Sequence, residues 1–402
     1  MYFSGVRLFS FLILTALVNP WNLIAQPLEP AAPEVVGVSS QRLSRLDQVV
    51  EKAIADEEVP GAIVLVARKG KVIYRKAFGL QTKDPDKPLA FDTVFDMASL
   101  TKVMTTATSI MILAEEGRVA LSQPVAEYIE EFKKRRKDRI TVLQLLTHYS
   151  GLRPDLDLSR QWSGYDKAIE LACNEIPLEK PGEKFIYSDI NYFLLGEIVR
   201  RVTGQTLDEF ADERIFKPLG MMETGFNPDP AKVERIAPTE KRDGEMLRGH
   251  VHDPTASRMG GVAGHAGLFS TVDDTARWAQ MILNGGVFDG SRILSPLAVL
   301  KMISPQTPFG EGDWRGIGFD IETRFSTPRG DLFPVSSFGH TGFTGTSVWI
   351  DPYSETLVVM MTSRLYPNGE GGVVALRSKV ASVVAGSLLD LKLDLNLAYR
   401  RY

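Results

Sequence analysis

The sequence contains a single cysteine, Cys173, in 402 residues. One thiol cannot close an internal disulfide, so packing alone must hold the chain, and the length suffices for a large core. Ala168, Leu171, Ala172 and Ile176 surround the cysteine at helical spacing, which reads it as a buried structural thiol. Neither sign of charge dominates: 46 Lys and Arg stand against 50 Asp and Glu, a net charge of −4. A nucleic-acid partner, which needs a basic surface, is not indicated. The run Lys133-Lys134-Arg135-Arg136-Lys137 reads as a solvated loop, with contact to anionic envelope polymers as the other reading. Long apolar runs are also missing. Leu8 to Val18, after Arg7, is too short to span a bilayer comfortably and reads as the core of a signal peptide cleaved after Ala25. The expected location is therefore periplasmic or extracellular, or else an uncleaved N-terminal anchor. No Gly-x-Ser-x-Gly occurs, which excludes the nucleophile elbow of the α/β-hydrolases. Histidines number only five. His250, His252 and His265 could suggest zinc, but no carboxylates in ligand spacing accompany them, and neither a metal nor an organic cofactor is expected.

Residues 26–38, rich in Pro, Ala and Glu, read as a flexible linker. Leu43, Leu46, Val49, Val50 and Ile54 then recur at helical spacing. Ala62 to Ala67, a turn at Gly70, and Val72-Ile73-Tyr74 give a β-hairpin signal. Strand character returns near the other end, at Ser347–Ile350 and Leu357–Met361 around the turn residues Asp351 to Ser354. Gly316 to Thr323 is a further expected strand, and residues 373–390 an expected helix. The middle of the chain, about 100–300, is helical patterns and loops without internal repeats. These observations predict an α/β fold: an antiparallel sheet built from both chain ends, flanked by helices, with an inserted all-helical lobe. One domain over 39–390 is expected, with a tail at 391–402 and ligand sites in the cleft between lobes.

Ser99-Leu100-Thr101-Lys102 is the only Ser-x-x-Lys. A helical pattern follows at once and stops at Gly117, so Ser99 stands at a helix start, where free N–H groups favour developing negative charge. Ser99 and Lys102, three apart, share a face. About one such match is expected by chance in a chain this long, and the bland alternative is a helix N-cap with a surface lysine. Tyr187-Ser188-Asp189 follows the loop signal Pro181-Gly182 and precedes a helix. A loop phenol facing a serine can relay protons if cations lower its pKa; otherwise its ring simply packs. His340-Thr341-Gly342 precedes a strong strand, and a glycine-flanked strand edge can offer N–H groups to a carbonyl, or merely enter a hairpin.

In this order the three motifs resemble those of the serine β-lactamase and penicillin-binding-protein superfamily, in its class C β-lactamase-like branch. Leu145 to Leu152, Phe216 to Met221 and Gly260 to Thr271 fit the same branch, and the resemblance covers roughly residues 40–390. It implies a β-lactamase/transpeptidase-like fold and a serine hydrolase cleaving an amide or ester through acyl-Ser99. By the same resemblance, Lys102 and Tyr187 share acid–base work, and His340, Thr341 and Gly342 line the opposite wall. The N–H groups of Ser99 and Phe343 then form the oxyanion hole. The implied partner is a small-molecule or peptidoglycan-derived acyl substrate; the oligomeric state is open. A penicillin-recognising binding or sensor protein with little turnover is the competing reading.

Two positions depart from the family pattern. Asp189 replaces an asparagine, and an ionised carboxylate near Lys102 would raise the lysine's pKa and shift base work toward Tyr187. His340 replaces a lysine and is mostly neutral at its reference pKa of about 6.5. This predicts weak recognition of substrate carboxylates, poor β-lactam turnover, and improvement on acidification. Loops at 153–165, 225–258 and 305–315 are expected to shape the cleft.

Overall fold

The computed structural model describes residues 28–307 and 313–392. The apolar run at 8–18, the cleavage point after Ala25 and nearly all of the 391–402 tail lie outside the described residues.

The unbroken apolar run at 62–67 demands burial on both faces. It forms β1 (Gly61–Arg68), in which every residue is buried. Ile63, Leu65 and Ala67 enter one core, and Ala62, Val64 and Val66 enter another on the opposite face. Lys69 (φ 50°) and Gly70 (φ 75°) then make a two-residue turn into β2 (Lys71–Lys83). Two successive positive φ values match the right-handed strand twist, which is why glycine serves here. A short β3 (Asp86–Pro88) continues the edge. The rest of the sheet comes from the far end of the chain: β4 (Trp314–Arg315), β5 (Asp320–Glu322), β6 (Phe338–Thr341), β7 (Ser347–Asp351) and β8 (Thr356–Met361). The eight strands run β4-β5-β6-β7-β8-β1-β2-β3, antiparallel throughout. Both chain ends therefore meet at the β1–β8 pair, in register from Ile63↔Met361 to Arg68↔Thr356.

Two helices from the chain ends cover one face. Leu46 and Val50 of α1 (Arg45–Ala55) share a core with Leu376, Val380 and Val384 of α7 (Val374–Gly386). The other face carries the helical lobe, which includes α2 (Thr108–Glu115), α3 (Val142–Leu146), α4 (Tyr165–Asn174), α5 (Asp189–Thr203) and α6 (Val272–Leu283). Thr141 and Gln144 form a reciprocal capping box at the start of α3, and Gly204 at φ 81° ends α5. The architecture is the expected α/β one.

Three local expectations need correction. Residues 28–38 are not free chain: Val36 and Val38 are buried, Pro30 bridges to Val72, and Arg68 Nη1 donates to the Val36 carbonyl at 2.5 Å. The Pro/Ala/Glu composition concealed valines apolar enough to dock. The expected strand at 316–323 survives only as Asp320–Glu322, because Gly318 adopts φ 81° and Gly316 N–H closes a turn onto the Phe319 carbonyl. In the basic run, Lys133 to Arg136 are exposed but Lys137 is buried. Its ammonium donates to the carbonyls of Cys173 (2.6 Å) and Glu175 (2.7 Å), and burial pushes its pKa down to about 8. Cys173 itself is buried on α4, as expected.

Candidate active site

The short strand Phe95–Asp96 pairs with Leu268–Ser270 and delivers the chain to Ala98. Ala98 adopts φ 44°, a region costly for a side chain and often retained at functional sites. Asp96 Oδ1 accepts from Ala98 N–H at 2.8 Å, and Thr101 Oγ1 donates to the Ala98 carbonyl at 2.6 Å. A helix starts at once, wound as a π-helix over Lys102–Ala107 before α2. Such wide turns concentrate at functional sites. Ser99 thus stands at the helix start, lining a cleft of about 640 Å3.

Lys102 is fully buried behind it. Its ammonium donates to Ser99 Oγ (3.0 Å) and to the His265 carbonyl (3.0 Å), and lies 2.6 Å from Asp189 Oδ1. Burial works to depress the lysine pKa, but the Asp189 carboxylate and the Tyr187 hydroxyl outweigh it and hold the group above its ordinary value. Asp189 therefore does face Lys102, in the first turn of α5, where the helix dipole also favours a carboxylate.

Tyr187 lines the cleft, and its hydroxyl lies near enough to Ser99 and Lys102 for both to act on its pKa. Burial raises its pKa despite the nearby ammonium, so the phenol is protonated at neutral pH. Its ring stacks on His148 at 4.4 Å between centroids and 27° between planes. His148 is buried at φ 62°, and its Nδ1 accepts from Ser188 N–H at 3.1 Å and meets Asn191 Nδ2 at 3.2 Å. Burial first, then the Arg315 and Lys102 cations, hold His148 well below the usual imidazole range.

β6 supplies the opposite wall. His340 is buried and paired with Val348 across the sheet. Its Nδ1 lies 2.9 Å from the Thr341 carbonyl, so Nδ1 carries the hydrogen. Burial, with Arg315 and Lys102 nearby, holds its pKa well below the usual value. The acid-activated cation expected at this position is thus corrected: His340 stays neutral through mildly acid pH. Gly342 is required, because a Cβ there would lie 2.2 Å from Thr346 Oγ1 and 2.6 Å from the Met97 carbonyl. Thr341 and Phe343 line the cleft, the latter 60% exposed. Among the described residues, neither Ser99 N–H nor Phe343 N–H donates to another group, which leaves both for an oxyanion.

Behind the wall, Arg315 and Asp320 form a fully buried ion pair. The sequence reading missed this pair, and it gave His148 no role of its own within the Leu145–Leu152 stretch. It also missed Arg364 and Arg377, which line the cleft with Phe325 and residues 371–375. Among the described lining residues, none comes from 153–165, 225–258 or 305–315; strand β6 and the segment leading into α7 shape the cleft instead.

His250, His252 and His265 do not converge. His252 pairs with Glu240 at 3.1 Å, His265 with Asp253 at 2.8 Å, and His250 is exposed. One ligand atom each of Asp189, Asp253 and His265 lie within 4.8 Å of one another, but the Lys102 ammonium already occupies Asp189 as its counter-ion.

The family model described as Beta-lactamase matches residues 46–381. A protein of Escherichia coli O157:H7 named "Putative D-alanyl-D-alanine carboxypeptidase" is 34% identical over 375 residues, 84% of this chain and 86% of that protein. A penicillin-binding protein homolog from Caulobacter crescentus superposes with a TM-score of 0.72 at 24% identity, over 88% of this chain and 99% of that one. A class C β-lactamase gives 0.72 at 20% identity, over 88% and 98%. These two likenesses establish a common fold. With the matched family model and the carboxypeptidase-named relative, the chain belongs to the β-lactamase family of serine hydrolases.

Proposed function

We propose that this hydrolase cleaves an amide or ester bond outside the cytoplasm through an acyl-Ser99 intermediate. The observation that carries the reading is the Lys102 ammonium 3.0 Å from Ser99 Oγ, with the Tyr187 hydroxyl close by in the same cleft. Lys102, held protonated by Asp189, stabilises charge beside the nucleophile. The Tyr187 phenolate, a minor form that the ammonium favours, takes the Ser99 proton as Oγ bonds the acyl carbon. The N–H groups of Ser99 and Phe343 hold the oxyanion, and Tyr187 returns its proton to the leaving nitrogen or oxygen. Water then repeats the sequence against the acyl-enzyme. The carboxypeptidase name of the Escherichia coli relative supports a peptide ending in D-alanine as substrate. The apolar run after Arg7 supports export.

Because both candidate bases rest protonated, slow deacylation would make the protein a penicillin-recognising binder instead. One experiment separates the readings: wild type and Ser99→Ala are incubated with a p-nitrophenyl ester and a fluorescent penicillin. Ester turnover that falls at least about 10^3-fold in the variant is expected. Stable labelling without turnover favours the binder, and neither signal in wild type overturns the acyl-Ser99 assignment.

A further inference from the structure

Lys102 is not the only basic group beside Asp189. The segment 264–268 is stitched to the helix of the nucleophile at three points. Thr106 Oγ1 donates to the Gly264 carbonyl (2.6 Å), Lys102 Nζ to the His265 carbonyl (3.0 Å), and Leu268 N–H to Thr101 Oγ1 (3.1 Å). Gly264 also lies tight against α5, where an added Cβ would meet the Tyr192 carbonyl oxygen at 1.9 Å. The His265 ring is thereby buried edge-on against Phe193, at 4.7 Å between centroids. Phe193 stands four residues after Asp189 and shares its helix face.

His265 Nε2 meets Asp253 Oδ1 at 2.8 Å, and the same oxygen accepts from Ala256 N–H at 2.7 Å at the start of the short helix Pro254–Arg258. One oxygen of Asp253, one of Asp189 and a ring nitrogen of His265 lie within 4.8 Å of one another. Burial opposes ionisation of Asp253, but His265 outweighs it and holds the carboxyl below its usual range. An ionised carboxylate only accepts, so Nε2 carries a hydrogen. Nδ1 has no hydrogen-bond partner among the described residues, so a second proton there displaces no bond. Burial opposes that proton, and Lys102 repels it, yet Asp253 and Asp189 prevail and hold the imidazole above its ordinary value. A third carboxyl, Asp155, stands near; its Oδ2 accepts from Thr255 Oγ1 at 2.8 Å, and burial pushes its pKa up to about 6.

Lys102, Asp189, His265 and Asp253 thus alternate in charge. A carboxylate facing a single ammonium tightens that group's hold on its proton, and a second cation on the same carboxylate loosens it.

We propose that His265 and Asp253 are positioning residues for acyl transfer: Asp253 holds the imidazolium beside Asp189, where it shares that carboxylate with the Lys102 ammonium and offsets the negative charge that Asp189 brings to the nucleophile. The inference rests on the acyl-Ser99 reading and extends its machinery to a pair of residues outside the cleft.

Two measurements test it. In protein labelled with 15N-histidine, the His265 signal is assigned by its contact with the Phe193 ring. Its titration midpoint should lie above the reference value of about 6.5, and should fall by about one pH unit in Asp189→Asn, where a carboxylate is lost and Lys102 repels unopposed. A midpoint below the reference value, or one that Asp189→Asn leaves unmoved, overturns the proposal. The second measurement is kinetic. On a neutral ester, the ratio of kcat/KM at about pH 6.5 to that at about pH 9 should fall about threefold or more in His265→Gln, because the imidazolium helps the site shed its proton only where it is itself charged. A uniform loss across the pH range would make His265 purely structural and overturns the proposal. The histidine titration needs no turnover. If no ester is cleaved, the acyl-Ser99 reading fails, while the sharing of Asp189 is still decided by the midpoints.

Discussion

Lys102, fully buried, and Asp189, partly buried, form an ion pair at 2.6 Å beside the nucleophile, at a position where the resembling motif carries a neutral asparagine. The pair fixes the protonation state of the site: the ammonium is held above its ordinary pKa, and the Tyr187 phenol is raised by burial.

The first prediction follows from those directions. At neutral pH both groups are protonated, so kcat/KM on a neutral ester should rise through pH 7–9 without a plateau. In Asp189→Asn the carboxylate that raises both pKa values is gone. The rising limb should move toward acid by about one pH unit or more. A stopped-rate pH profile of both proteins measures this. An unmoved limb would remove Asp189 from control of the base.

His340 gives a stability prediction of definite sign. Its folded-state pKa is depressed by burial and nearby cations. Below about pH 6.5 the unfolded chain takes protons that the folded chain refuses. Stability from this group is therefore intact above that pH and declines on acidification. His148 acts in the same sense. His265 acts in the opposite sense: burial opposes its protonation, but Asp253 wins and raises its pKa. The comparison must therefore be between variants: the Tm of His340→Gln should fall less from pH 7 to pH 5 than that of wild type. Identical slopes would contradict the assignment. The imidazole should also add no feature to a kinetic profile between pH 5.5 and 8.

His148 tests whether the tyrosine needs its stacking partner. His148→Ala removes the 4.4 Å stack and leaves Ser188 N–H without its acceptor. A loss of about 1–3 kcal/mol in stability is expected from the unsatisfied buried group. A fall of about 10–100-fold in kcat with little change in KM is expected from a loosened Tyr187. Denaturant unfolding and steady-state kinetics give the two numbers. A stability loss without a kcat effect would make the residue purely structural.

The Arg315–Asp320 pair is expected to behave asymmetrically. Asp320→Asn leaves a buried guanidinium without its charge partner and should cost about 3–5 kcal/mol. Replacing both residues by apolar ones of similar volume should cost less than the single change. Thermal unfolding of the single and double variants decides it, and additive losses would argue against the pair.

Much of the sheet was legible because its signals are local. The apolar run at 62–67 and the Lys69-Gly70 turn specify a doubly buried strand and its hairpin without reference to anything distant. Ser99 and Lys102 were legible for the same reason: three residues apart at a helix start, they must share a face. His148 was not legible as the support of Tyr187, since the two meet only when the loop after α3 packs beside the loop before α5. Arg364 and Arg377 carry no pattern of their own and become meaningful only when β8 and α7 bring them to the same cleft. The electrostatic error at His340 had a similar origin. A reference pKa describes an imidazole in water, and sequence alone does not say that Arg315 and Lys102 stand nearby in a dry wall.

The antiparallel pairing of β1 with β8 also sets the order of events during synthesis. The early strand emerges with two apolar faces and has only the hairpin partner β2 beside it until the last strands appear. Contacts between such distant segments slow folding. A chain ending before β8 would leave the apolar edge of β1 open to pairing with other molecules. Truncated products should therefore aggregate rather than persist as soluble partial enzymes. The nucleophile, although encoded in the first quarter of the chain, gains its full surroundings only when almost the whole polypeptide has been made.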